Sequence, residues 1–139
     1  MKIALVSFAL ATVVQAAPVP KELRTDPLEQ FQGKWRFVGI DVGEGLRLTG
    51  IEGMILQFEG DAVSIALPDG VATKYSATFD TRAAPIRMML TTKTSVIPGI
   101  LKIESDRLYW CQALGDKPHP EKIRAGDGYR YFLLKRVDK

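Results

Sequence analysis

The sequence predicts an all-β domain, an eight-stranded antiparallel up-and-down barrel preceded by a short helix, with an open sandwich as the alternative architecture. Three observations lead there. From Gly33 onward apolar residues recur at every second position in short runs, the period of a half-buried strand. The runs are separated mostly by hairpin-length links rich in Gly, Pro and Asp. The 139 residues, 46% hydrophobic and 25% charged, suit one ordinary globular core and exclude disorder and collagen.

Residues 1–16 read as a signal peptide: Met1-Lys2, an apolar run from Ile3 to Val14, then small residues at Ala16-Ala17. The run is well short of the roughly 20 apolar residues a membrane-spanning helix needs, so no membrane anchor is expected. The expected product is exported, periplasmic or extracellular. Lys2 is the leader's only charged residue, so its removal lowers the net charge of +3 by one. That excess is too small to predict a nucleic-acid partner.

Residues 17–25, with Pro18 and Pro20, read as an extended lead-in, and residues 26–137 as the single domain. Asp26-Pro27-Leu28-Glu29 has an N-cap acid and a proline at the first helical position, which predicts a short helix ending by Gly33. The first strand, Lys34 to Asp41, places Trp35, Phe37 and Gly39 on one face. The irregular, glycine-rich stretch from Gly43 to Gly53 follows. Met54 to Glu59 and Ala62 to Leu67 form a hairpin about Gly60-Asp61, and Pro68-Asp69-Gly70 turns the chain into a strand from Val71 to Phe79. Pro85 to Thr91, Ile97 to Glu104 and Arg107 to Ala113 supply three more strands. A polar loop from Gly115 to Gly128 precedes the last strand, Tyr129 to Arg136.

Four blocks carry a resemblance. They are Gln32-Gly33-Lys34-Trp35, Leu108-Tyr109-Trp110-Cys111-Gln112-Ala113, Lys117-Pro118-His119-Pro120 and Leu133-Leu134-Lys135-Arg136. In order and spacing the chain from about residue 28 to residue 136 resembles a lipocalin-like domain family described chiefly from planctomycete bacteria, within the lipocalin superfamily. The resemblance implies an exported barrel. It also implies that Trp35, at the Gly33-x-Trp35 opening, closes one barrel end while Arg136 packs across its indole, a cation over a π face. Where that family often has arginine between the two prolines, this chain has His119. It implies no catalytic residues.

Recognisable catalytic motifs are missing from the residues themselves. Ser64, Ser76, Ser95 and Ser105 lie outside any Gly-x-Ser-x-Gly context. Gly45 and Gly50 have phosphate-loop spacing, but Ile51-Glu52 follows where a lysine and a hydroxyl residue are needed. Asp61, Asp69, Asp106, Asp116 and Asp127 sit at turns, where aspartate bonds nearby backbone amides, and no calcium-loop spacing links the last two. Lys102, Lys117, Lys122, Arg124, Arg130 and Lys135 read as a solvated mixed surface, because acids interleave them. Cys111 reads as a small buried hydrophobe in a strand, the alternative being a reactive thiol or an intermolecular disulfide. His119 reads as a solvent-facing loop residue, the alternative being an acid–base group at a pocket mouth. No enzyme activity, cofactor or metal is expected.

An eight-stranded barrel is either filled by its side chains or holds one small ligand. The candidate ligand-lining residues are Phe37, Leu56, Phe58, Tyr75, Phe79, Met88, Leu108, Trp110 and Phe132, with Ile65, Leu90, Leu101, Ile103 and Leu134 on the same faces. The leading expectation is a binding module for a small hydrophobic or amphipathic molecule. The alternative is a packed barrel that engages an envelope protein. A hydrolase or isomerase would need polar groups around His119 or Tyr109 in the barrel mouth.

Overall fold

The computed structural model describes residues 27–48 and 50–137. The expected leader, the 17–25 lead-in and Asp26 lie outside the described residues. Among the described residues nine strands form: β1 (Gly33–Asp41), β2 (Leu46–Arg47), β3 (Ile55–Glu59), β4 (Ala62–Ala66), β5 (Ala72–Asp80), β6 (Ile86–Thr91), β7 (Val96–Glu104), β8 (Arg107–Ala113) and β9 (Tyr129–Arg136). β1 and β3 to β9 pair antiparallel in sequence order, and β9 returns to β1 to close an eight-stranded barrel. Closure removes the free edges that an open sandwich would leave.

The expected helix is a single 3-10 turn, Glu29–Phe31, held by Phe31 N–H to Leu28 and Gln32 N–H to Glu29 carbonyl bonds. A longer helix is blocked because Gln32 is extended and β1 starts at Gly33. Gly33 has φ +105°, a left-handed value that glycine tolerates at little cost, and it turns the chain sharply into the barrel wall. Gln32 ties this turn to the β3–β4 hairpin: its Nε2 donates to the Gly60 carbonyl at 3.0 Å and its Oε1 accepts from Gly60 N–H at 2.7 Å.

Two-residue periodicity sets the inner face. Register pairs Leu56 with Ile65, Phe58 with Val63, Ala77 with Leu90, Phe79 with Met88, Leu108 with Leu134 and Trp110 with Phe132; these side chains form one continuous core. A β-bulge at Val38 corrects one expectation. Phe37 pairs with Leu134 but Gly39 pairs with Leu133, and Ile40 with Phe132. The extra residue flips the phase. Ile40 therefore joins the core while Gly39 turns to the outer face, where a Cβ would lie 2.7 Å from Leu46. The glycine-rich stretch contributes β2, whose Leu46 and Arg47 extend the β1 ladder at Asp41 and Ile40.

The segment 114–128 is not simply a solvated loop. It crosses the outside of β7, β8 and β9 and seals a second, smaller core. The Cys111 thiol donates to the Arg124 carbonyl at 3.4 Å, and Tyr129 Oη donates to the Pro118 carbonyl at 2.8 Å. The Arg124 guanidinium stacks 4.5 Å from the Tyr129 ring centroid. Ile100, Cys111, Pro120 and Tyr129 are buried as a result.

Candidate ligand site at the open end of the barrel

The two barrel ends differ chemically. At one end β1 begins and β9 finishes, and Trp35 and Arg136 are direct cross-strand partners. Trp35 is 0% exposed and donates from Nε1 to the Phe31 carbonyl at 2.8 Å. Arg136 lies with its guanidinium carbon 4.0 Å from the Trp35 ring centroid, and the nearest atom to a Cβ built on Gly33 would be its Nη1, at 3.8 Å. Phe31 covers the same end and meets Phe58 at 6.0 Å between centroids. Leu56, Phe58, Met88 and Leu108 are fully buried behind this plug. Phe79 is partly buried against them, 6.4 Å from Phe58.

Space remains in the other half. A cavity of about 290 Å³ is lined by Phe37, Ile40, Ile51, Met54, Ile65, Tyr75, Leu90, Ile97, Trp110 and Phe132, with Gln112 and Arg130 towards the rim. Of the nine expected lining residues, Phe37, Tyr75, Trp110 and Phe132 border this cavity. Leu56, Phe58, Phe79, Met88 and Leu108 lie instead in the plugged half, packed into the core that Phe31 of the 3-10 turn joins. Phe132 anchors the cavity wall, edge-on to Phe37 at 5.2 Å and tilted against Trp110 at 5.4 Å.

A larger hollow lies elsewhere. About 710 Å³ is bordered by Gln30, Phe31, Ala83 to Ile86, Leu101 to Ile103 and Glu121 to Ile123. Its floor is the outside of the plugged end, and its lining mixes Gln30, Lys102, Glu121 and Lys122 with apolar groups. The smaller hollow inside the barrel is walled mainly by apolar side chains, which give a ligand site its desolvation energy.

Arg130 and Gln112 fall outside the set of residues expected to line the cavity, although the alternation carries the signal. Arg130 is in phase with Phe132 and Leu134, and Gln112 with Leu108 and Trp110, so both face inward. Arg130 Nε donates to Gln112 Oε1 at 2.8 Å, and its guanidinium lies 5.2 Å from the Phe132 ring centroid. Burial pushes the Arg130 pKa down, yet guanidinium stays charged in proteins. Among the described residues Lys102 pairs with Glu104 at 3.0 Å, Lys117 and Arg124 with Asp127 at 3.9 Å, and Lys135 with Asp106 at 3.9 Å, whereas exposed Lys122 makes no ion pair. Arg130 has no such partner among the described residues.

His119 is partly buried on the outer wall, not in the mouth. Its Nε2 lies 2.8 Å from the Gly99 carbonyl, which can only accept, so Nε2 carries the hydrogen. Tyr109 also faces outward, 6.1 Å from Tyr131. The polar mouth cluster that acid–base chemistry would need is therefore not assembled from these two groups. No hydrogen bond among the described residues joins His119 to a serine. Asp69 caps its own turn by accepting from Val71 N–H at 2.8 Å. Among the described residues no three His, Cys, Asp or Glu side chains converge on a metal-sized site. No protein-family model and no curated protein matches the chain.

Proposed function

We propose that this chain is an exported, non-enzymatic binding module of the lipocalin-like family, which takes a small apolar or amphipathic molecule into the open half of its barrel. The reading of export rests on the leader-like residues 1–16. The observation that carries the binding function is the half-filled barrel: one end plugged by Trp35, Arg136 and Phe31, the other hollow and walled by Phe37, Tyr75, Trp110 and Phe132. A guest entering it sheds water against aromatic and aliphatic side chains. Its volume of about 290 Å³ sits at the small end of ligand pockets, which run from about 300 to 1,000 Å³, so the guest is compact.

A second reading has its own support. Val42, Leu46, Leu48, Leu67, Val71, Val96 and Leu114 are exposed, and all of them lie on the turns and strand ends around the open end of the barrel. Such a rim suits a protein-interaction module at the cell envelope. Native mass spectrometry of the exported protein, followed by denaturing extraction and titration with an apolar fluorescent probe, separates the two. A stoichiometric small molecule, or saturable probe binding that Ile65→Trp abolishes, supports the ligand carrier. An empty protein that binds no probe overturns it and leaves the interaction module.

A further inference from the structure

Among the described residues that line the cavity Arg130 is the one charged side chain, with no aspartate or glutamate beside it, and its surroundings set what it can receive. Among the described residues Arg130 bonds only through Nε, to Gln112, which leaves its two terminal nitrogens as donors. The same bond fixes the Gln112 amide: an arginine Nε–H needs an acceptor, so the oxygen faces Arg130 and the amide nitrogen keeps its hydrogens for another partner. Gln112 is only 2% exposed, and its side chain borders the cavity. The rim side of the chamber thus offers N–H donors from two cross-strand neighbours, one of them cationic.

A partly buried cation without a counter-charge costs free energy. The missing component is an acceptor-only anion, and the planar guanidinium fork matches a carboxylate in shape. Further in, the register row of Trp110 and Phe132 follows, with Phe37 against Phe132, so the chamber turns apolar one row below the donors.

We propose that the barrel takes a small amphipathic carboxylate, its head at the rim on Arg130 and Gln112 and its hydrocarbon tail inward against Trp110, Phe132 and Phe37. The assignment rests on the reading of the barrel as a ligand carrier and narrows its guest to an anion.

Calorimetric titration with octanoate and with 1-octanol at pH 8, on wild type and on Arg130→Met, tests it. Octanoate should bind one to one, at least about tenfold more tightly than 1-octanol, as expected for charge-assisted hydrogen bonds. Arg130→Met should abolish that preference, keep 1-octanol affinity within about twofold and melt close to wild type, because loss of an uncompensated cation offsets loss of its bond to Gln112. Arg130→Lys should retain part of the preference. Equal affinity for the two probes in wild type, or unchanged octanoate binding by Arg130→Met, overturns the carboxylate anchor and leaves the apolar carrier standing. Failure of both probes to bind wild type overturns carrier and anchor together. An Arg130→Met that melts well below wild type makes Arg130 a structural cap on Phe132; the anchor then survives only if wild type prefers octanoate.

Discussion

Arg136 covers Trp35 from 4.0 Å while donating to the carbonyls of Gln32 at 3.0 Å and Gln30 at 2.6 Å. One side chain from the last strand thereby holds the first aromatic of β1 and the 3-10 turn that precedes it. The two backbone acceptors orient the guanidinium plane, and the indole supplies the π face beneath it. Trp35 in turn bonds the Phe31 carbonyl at 2.8 Å. The plug is therefore one connected unit, built from both ends of the domain.

Truncating that unit should be expensive. Trp35→Ala is expected to cost about 3–5 kcal/mol, the usual range for a buried large aromatic, measured as a shift in the urea denaturation midpoint. Arg136→Met loses the stacked cation and both bonds to the turn, and about 1–3 kcal/mol is expected. Arg136→Lys should fall between Met and wild type, since it keeps the charge but loses the planar fork. An unchanged midpoint in Trp35→Ala would remove Trp35 from any barrel-closing role.

Gly99 tests how tightly the inner wall is packed. A Cβ built there would lie 2.7 Å from the Cys111 carbonyl oxygen and 3.0 Å from Trp110 Nε1, and the first of these is backbone that cannot swing aside. Gly99→Ala should destabilise by about 1–3 kcal/mol through overpacking. It should also shift tryptophan emission, because the indole of a cavity-lining residue must move. A variant with wild-type stability and emission would contradict the packing of β7 on β8.

Cys111 should behave as an inert thiol. Burial pushes its pKa above the ordinary 9.0, against the smaller opposing pull of a backbone hydrogen bond from Arg124 and of the Arg124 charge. The folded state then holds this proton more tightly than the unfolded state does. The resulting stability is fully present below pH 9.0 and declines as the pH rises from there towards the folded value. Iodoacetamide at pH 8 should leave native protein unlabelled and label it in denaturant. Rapid native labelling would place the sulfur outside the small outer core.

The segment 114–128 should open as a unit when its ties are cut. His119→Ala removes the bond to the Gly99 carbonyl, and Tyr129→Phe removes the bond to Pro118; each should cost about 1 kcal/mol. Hydrogen exchange should then accelerate at Leu114 and Lys117, whose N–H groups bond Gly128 and Leu114, and Cys111 labelling should quicken with it. Wild-type exchange in both variants would show that other contacts hold the segment.

The sequence by itself determined eight of the nine strands among the described residues, all but the two-residue β2, and which residues alternate along them. Alternation in Leu56-x-Phe58, Met88-x-Leu90 and Leu108-x-Trp110 is a local property of a pleated chain, and turn signals at Gly60-Asp61 and Pro68-Asp69-Gly70 are set by backbone conformation within a few residues. Tertiary structure decided what no local rule encodes. The bulge at Val38 depends on how β1 must register with β9, and it exchanged Gly39 for Ile40 on the inner face. The segment 114–128 is polar in composition, but only the closed barrel offers the outer wall of β7 to β9 that buries Pro120 and Cys111 beneath it. Arg130 shows the division most sharply. Its alternation with Phe132 is written in the chain, but its charge gives it the same local signature as the solvated lysines around it. Its lack of a counter-ion emerges only when the partners of β8 and β9 are in place, because ion pairing depends on distances between segments and period on neighbours within one.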